Sequence, residues 1–111
     1  MEIIETQEGA VTVVKPSGPL VAQDADQCRS HLVGVIERSS GRLVLDASGI
    51  AYVDSKGLEV LAITGESLAQ SGLSFKLAGV NETLREVFDL TGLGEAFEHF
   101  DDVHAGVRSF L

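Results

Sequence analysis

The sequence predicts an α/β fold: one domain with a mixed, mostly parallel sheet of about four to five strands, about four helices and an antiparallel hairpin at its N-terminus. Three observations predict it. Short β-prone runs alternate with stretches whose apolar residues recur every three or four positions. The resulting order, β-β-α-β-α-β-α-(β)-α, joins the later strands by helical crossovers and so makes them parallel. The chain has 111 residues, enough to bury roughly two-thirds of its unfolded surface in one core without disulfides or metals.

Each element has its own signal. Ile3 to about Thr6 and Ala10 to about Val14 are β-prone runs on either side of Gln7-Glu8-Gly9, a turn-like gap, and form the hairpin. Pro16, Gly18 and Pro19 then punctuate the chain. Asp24 and Gln27 are spaced as a capping box, and Ala25, Cys28, Leu32, Val35 and Ile36 line the inner face of a first helix that Ser39-Ser40-Gly41 ends. Leu43 to Asp46 reads as a buried strand, with Ile50 to Val53 an apolar approach to the next helix. That helix starts at Asp54, an N-cap, carries Leu58, Leu61, Ala62, Gly65, Leu68 and Ala69 on one stripe, and stops near Ser71-Gly72. Ser74 to about Ala78 is a fourth strand. Asn81 caps a third helix with Leu84, Val87 and Phe88 inward and Gly92 beyond its end. Ala96 to about Phe100 is a last strand, and Asp101-Asp102 precede a short helix with Val103, Val107, Phe110 and Leu111 on one side. Single-striped helices require only one covered sheet face. No repeat or internal linker divides residues 1–111, so one domain is expected.

Composition removes several function classes. With 8 basic and 17 acidic residues the formal charge is −9, which opposes nucleic-acid phosphates and anionic membrane surfaces. No run reaches transmembrane length and the N-terminus has no signal-peptide pattern, so a cytoplasmic protein without membrane insertion is expected. Cys28 is the one cysteine, which rules out an internal disulfide and suits a buried, reduced side chain. His31, His99 and His104 form no metal-binding pair and read as satisfied surface or core residues. No dinucleotide fingerprint, P-loop or nucleophile elbow is present. The acids of Asp24-Ala25-Asp26 and Glu98 to Asp102 read as helix starts, and Phe75, Phe88, Phe97 and Phe100 as core. The expectation is a protein with no cofactor, no metal and no catalytic residue among these motifs.

Asp54-Ser55-Lys56-Gly57 is the segment with functional content. Ser55 falls in the first helical turn with its hydroxyl near solvent, where free amides and the macrodipole favour a phosphate. Gly57 allows close approach of another backbone, a ligand or a partner. A capped helix with an ordinary serine is the alternative reading of these four residues taken alone.

Tyr52-Val53-Asp54-Ser55-Lys56-Gly57-Leu58 resembles the phosphorylation-site segment of STAS domains, the anti-sigma-factor antagonist family. Val87-Phe88-Asp89-Leu90-Thr91-Gly92-Leu93 resembles the end of that family's third helix, an apolar-Phe-Asp-x-Ser/Thr-Gly-Leu run. Both segments, their separation and the element order fit the family over essentially the whole chain. The resemblance implies a non-enzymatic bacterial regulator that binds an anti-sigma factor, itself a serine kinase carrying the ATP, and is switched off when that kinase phosphorylates Ser55. A PP2C-type phosphatase resets the switch. Asp54, Ser55, Lys56, Gly57 and Leu58 are the implied partner-binding residues.

The direction of such a switch follows from charge. Phosphate adds about −1.5 to −2 charges. Unit charges ~4 Å apart repel by roughly 1 kcal/mol in water and ~4 at a partly buried interface, whereas a helix N-terminus returns about 0.3–1 kcal/mol. Repulsion wins inside an interface. Two departures from the family pattern bear on it. Lys56 stands where sigma regulators usually have Ser or Thr, and it either pairs with the phosphate, changes the choice of kinase or is simply solvated. Gly18-Pro19-Leu20-Val21 occupies the place of a Gly-Glu-Leu-Asp segment, so Val21 replaces an acid. These departures keep open a second reading, a non-phosphorylated STAS scaffold or transport-associated subunit. An enzyme or aspartate-phosphorylated receiver on a similar scaffold is a third; the missing acidic pair and the mid-strand place of Lys76 oppose the receiver.

Overall fold

A computed structural model describes residues 1–111. Strands β1 (Glu2–Glu8) and β2 (Val11–Ser17) form the expected antiparallel hairpin. The turn is tighter than expected: Gln7 and Glu8 pair with Thr12 and Val11, leaving Gly9 and Ala10 to reverse the chain. Gly9 supplies the positive φ of 63° that a two-residue hairpin turn uses. β2 continues through Pro16, which lies beyond the residues that pair with the next strand and so interrupts no ladder there.

The chain then runs through α1 (Ala22–Ser39), β3 (Leu43–Asp46), a 3-10 turn (Ala47–Gly49), α2 (Ser55–Gln70), β4 (Phe75–Ala78), α3 (Glu82–Leu90), β5 (Phe97–Phe100) and α4 (Val103–Arg108). The five strands lie in chain order, and β2 to β5 are mutually parallel. Three of the helix starts follow expectation. Asp54, Asn81 and Asp102 each accept the backbone N–H three residues on, at 2.8 Å in every case. The start of α1 does not. It begins at Ala22, and Asp24 and Gln27 accept instead from the Met1 amino group, at 3.1 and 3.0 Å.

Helices α1, α2 and α3 share one core with the sheet, built from Ala25, Cys28, Leu32 and Val35, Val60, Leu61 and Leu68, and Leu84 and Phe88, against Val14, Leu43, Leu45, Phe75, Leu77 and Phe97. The stripe of α2 is rotated from the expected one: Val60 and Thr64 are buried and Ala69 is exposed. Thr64 tolerates burial because its hydroxyl donates to Val60 O at 2.7 Å.

The expectation of one covered face is also corrected. Strand residues alternate between faces, and Val11, Val13, Val44 and Ala78 point away from the three helices. Val103, Val107, Phe110 and Phe100 pack over them, so α4 seals the second face. Lys76 is buried there at 8% exposure. Its ammonium is satisfied by Glu98 Oε1 and Ser109 Oγ, each 2.8 Å away, and sits 4.5 Å from the centre of the Phe110 ring. Leu111, expected on the inner side of α4, is fully exposed. Cys28 is buried as expected, and burial pushes its thiol up to about 11. No helix is long and apolar enough to cross a membrane.

Candidate functional site

The N-termini of α1 and α2 meet beyond the ends of the parallel strands β2 and β3, and Asp54 joins them. Its Oδ1 accepts from Gly57 N at 2.8 Å, capping α2, while its Oδ2 accepts from Ala22 N at 3.0 Å, at the start of α1. The residue before Ala22 is Val21, which has no side chain able to cap. One carboxylate thus serves both helices. Ala22 adopts φ 47° to present its amide, a left-handed conformation that disfavours any residue but glycine. The amides of Gly57 and Ala22 hold the Asp54 carboxyl below the usual carboxylate range, with Gly57 the larger influence. Its negative charge is therefore fixed in place and in sign.

The backbone around this junction is tied down. Leu20 forms a parallel bridge with Val53; its N–H donates to Tyr52 O at 3.0 Å and its carbonyl accepts from Asp54 N at 3.4 Å. Asn81, besides capping α3, donates from Nδ2 to Ala51 O at 3.0 Å and Ile50 O at 3.3 Å. The approach to Ser55 is fixed by α3 as well as by the sheet.

On this frame Ser55 is exposed at the first position of α2. Lys56 reaches across to α1, its Nζ 3.3 Å from Asp26 Oδ1. Leu58 is half-buried against the core. Gly57 is buried and a Cβ there would lie 2.0 Å from Leu20 O. Its missing side chain admits the chain's own Leu20 carbonyl, so the close approach expected of a partner is made internally. Exposed Tyr52, Ser55 and half-buried Lys56 are left as the outward surface.

Leu20, Ala22, Asp26 and Asn81 belong to this junction and were not among the sequence-derived candidates. The sequence carries a partial signal at most: Val21 has no capping side chain, so a helix starting at Ala22 must find its acceptor elsewhere, but nothing local names Asp54.

A second feature lies apart from Ser55. A polar cleft of about 420 Å³ is lined by Arg85, Asp89, Gly92, Gly94, Glu95 and His99. His99, expected to be satisfied, has both ring nitrogens buried without a hydrogen-bond partner. Burial, reinforced by Arg85 and opposed by the nearby Gly94 backbone and by Asp89, lowers its pKa below the ordinary 6.5. The unfolded chain therefore binds this proton more readily, and the stabilisation from neutral His99 is complete above about pH 7 and lost as pH falls through 6.5. Urea midpoints at pH 7.5 and 5.5 are expected to differ more for the unmodified protein than for His99→Phe. Equal differences would contradict this account.

Residues 3–106 match the family model described as the STAS domain. Among curated proteins, the chain is similar to the anti-sigma-F factor antagonist RsfB of Mycobacterium tuberculosis, with 32% identity over 101 residues, 88% of this chain and 82% of that protein. Its fold matches that of an anti-sigma factor antagonist from Mycobacterium paratuberculosis with a TM-score of 0.82 and 24% identity, over 97% of this chain and 92% of that one. The same fold recurs in the murine anion transporter Slc26a9, with a TM-score of 0.76 and 19% identity, over 95% of this chain but 18% of the transporter.

Proposed function

The chain belongs to the STAS domain family, and from that premise we propose that it is an anti-sigma-factor antagonist switched at Ser55. In this reading the unmodified protein captures an anti-sigma factor through Tyr52, Ser55, Lys56 and the surface beside Asp54. The partner, acting as a serine kinase with its own bound ATP, phosphorylates Ser55 and is released, and a PP2C-type phosphatase restores the hydroxyl. The protein itself supplies no catalytic group.

The observation that carries the reading is the placement of Ser55. It is exposed on the first turn of α2, next to a carboxylate that two helix starts hold in position. A phosphate there adds to a charge that cannot rotate away, so a partner surface packed against this turn must strip water from two adjacent negative groups instead of one. The loss of the upstream acid at Val21 does not dismantle the junction, because Asp54 supplies the bond to Ala22.

Incubation with ATP and an anti-sigma kinase encoded by the same organism, followed by intact-mass measurement, tests the reading. The expected result is a gain of one phosphate that Ser55→Ala abolishes. The second reading, a non-phosphorylated scaffold or transport-associated subunit, is favoured by Lys56 in place of Ser or Thr and by the occurrence of this fold in an anion transporter. It predicts no gain in mass under the same conditions.

A further inference from the structure

We propose that Lys56 is the internal counter-ion of a phosphate on Ser55, and that it engages the phosphate by leaving Asp26. The inference rests on Ser55 being the modified residue and adds how the modified state is read. In the unmodified protein the Lys56 ammonium lies 3.3 Å from Asp26 Oδ1 and ties the first turn of α2 to the second turn of α1. The side chains of Lys56 and Asp26 are 41% and 57% exposed, so water and salt weaken this pair.

Of the other charges near these turns, Glu59 on α2 and Arg29 on α1 are exposed to solvent, whereas the two acids closest in sequence to the helix starts are committed. Asp54 holds one backbone amide with each oxygen and cannot turn away without uncapping both helices. Asp24 is engaged by the Met1 amino group at 3.1 Å. A phosphate on Ser55 would therefore meet the fixed Asp54 carboxylate, and Lys56 is the adjacent residue with a mobile positive charge. A phosphate near its dianionic form attracts an ammonium more strongly than one carboxylate does. The flexible four-carbon stem of lysine lets the ammonium change partner without backbone movement. One tie between α1 and α2 is then broken and the bond from Ala22 to Asp54 remains.

This exchange makes the switch graded. Part of the phosphate charge is cancelled within the molecule, so the modified protein keeps more affinity for its partner than it would with Ser or Thr at position 56. Lys56 acts as a positioning residue that sets how much of the phosphate charge the partner meets.

The test uses the full chain with phosphoserine incorporated at position 55 during synthesis, so that no kinase is involved. The second ionisation of the phosphate, near 6 in an unperturbed group, is followed by phosphorus NMR. The midpoint is expected to rise by about half a pH unit, roughly threefold in proton affinity, on Lys56→Gln. Equal midpoints would overturn the pairing. In an Asp26→Asn background the displacement caused by Lys56→Gln is expected to grow, since nothing competes for the ammonium; an unchanged displacement would overturn the exchange. Absence of phosphate transfer from the kinase would instead count against the proposed function, and would leave both titration results standing.

Discussion

Gly57→Ala is expected to lower the melting temperature by roughly 10–15 °C, a loss of about 3 kcal/mol. The added Cβ would lie 2.0 Å from Leu20 O, 3.0 Å from Leu20 C and 3.2 Å from Val53 Cβ. Two of these atoms are backbone, so no rotamer change relieves the overlap. Leu20 is held by the Tyr52 and Asp54 main chain, and displacing it strains the segment that carries both helix starts. Alanine is otherwise the better helix former by about 1 kcal/mol, which makes the sign of the result informative. Gly34 provides the control. It lies within α1 and a Cβ there meets nothing within 4 Å, so Gly34→Ala is expected to stabilise by about 0.5–1 kcal/mol. Urea or thermal unfolding of the two variants checks the pair, and a Gly57→Ala protein as stable as the parent would show that the Leu20 segment yields freely.

Ser55→Asp is expected to weaken capture of the cognate anti-sigma factor by roughly ten- to a hundredfold, while Ser55→Ala leaves it within about twofold. The substituted carboxylate sits on the first turn of α2, where a helix N-terminus favours negative charge. That gain roughly offsets repulsion from Asp54 in water, so the variant is expected to stay within about 1 kcal/mol of the parent, which separates a loss of binding from a loss of fold. What opposes binding is the second charge beside Asp54. The backbone amides of Gly57 and Ala22 keep that carboxyl ionised well into acid, so lowering the pH within the neutral range does not remove the repulsion. Titration calorimetry against the purified partner measures both variants. Equal affinities would separate Ser55 from partner capture altogether.

The caps at Asp54, Asn81 and Asp102 were legible because capping is local: the side chain and the amide it accepts are three residues apart. The misassigned cap at Asp24 shows the limit of that rule. Its spacing to Gln27 satisfies a capping box, yet both side chains turn to the Met1 amino group, and the amide of Ala22 is met by a carboxylate 32 residues away. The α2 stripe was partly misread for a related reason. Val60 and Thr64 are buried beside Leu61 and Leu68, because the helix faces both α1 and the sheet, a wider contact than one narrow stripe describes. The covering of the second sheet face was illegible in a different way. Val44 between Leu43 and Leu45 reads as an unbroken apolar run, and such a run does not say what covers each side.

The sequence by itself determined the order of elements, the hairpin, the parallel crossovers and the serine at the start of the second helix. Periodicity, capping and turn chemistry act between residues a few positions apart, so a single chain displays them directly. The tertiary structure decided that Asp54 joins two helices, that Gly57 serves the chain's own Leu20, and that Lys56 answers to Asp26. These contacts exist only because parallel β2 and β3 bring the starts of α1 and α2 to the same end of the sheet. No local pattern encodes which distant side chain then lies within bonding distance.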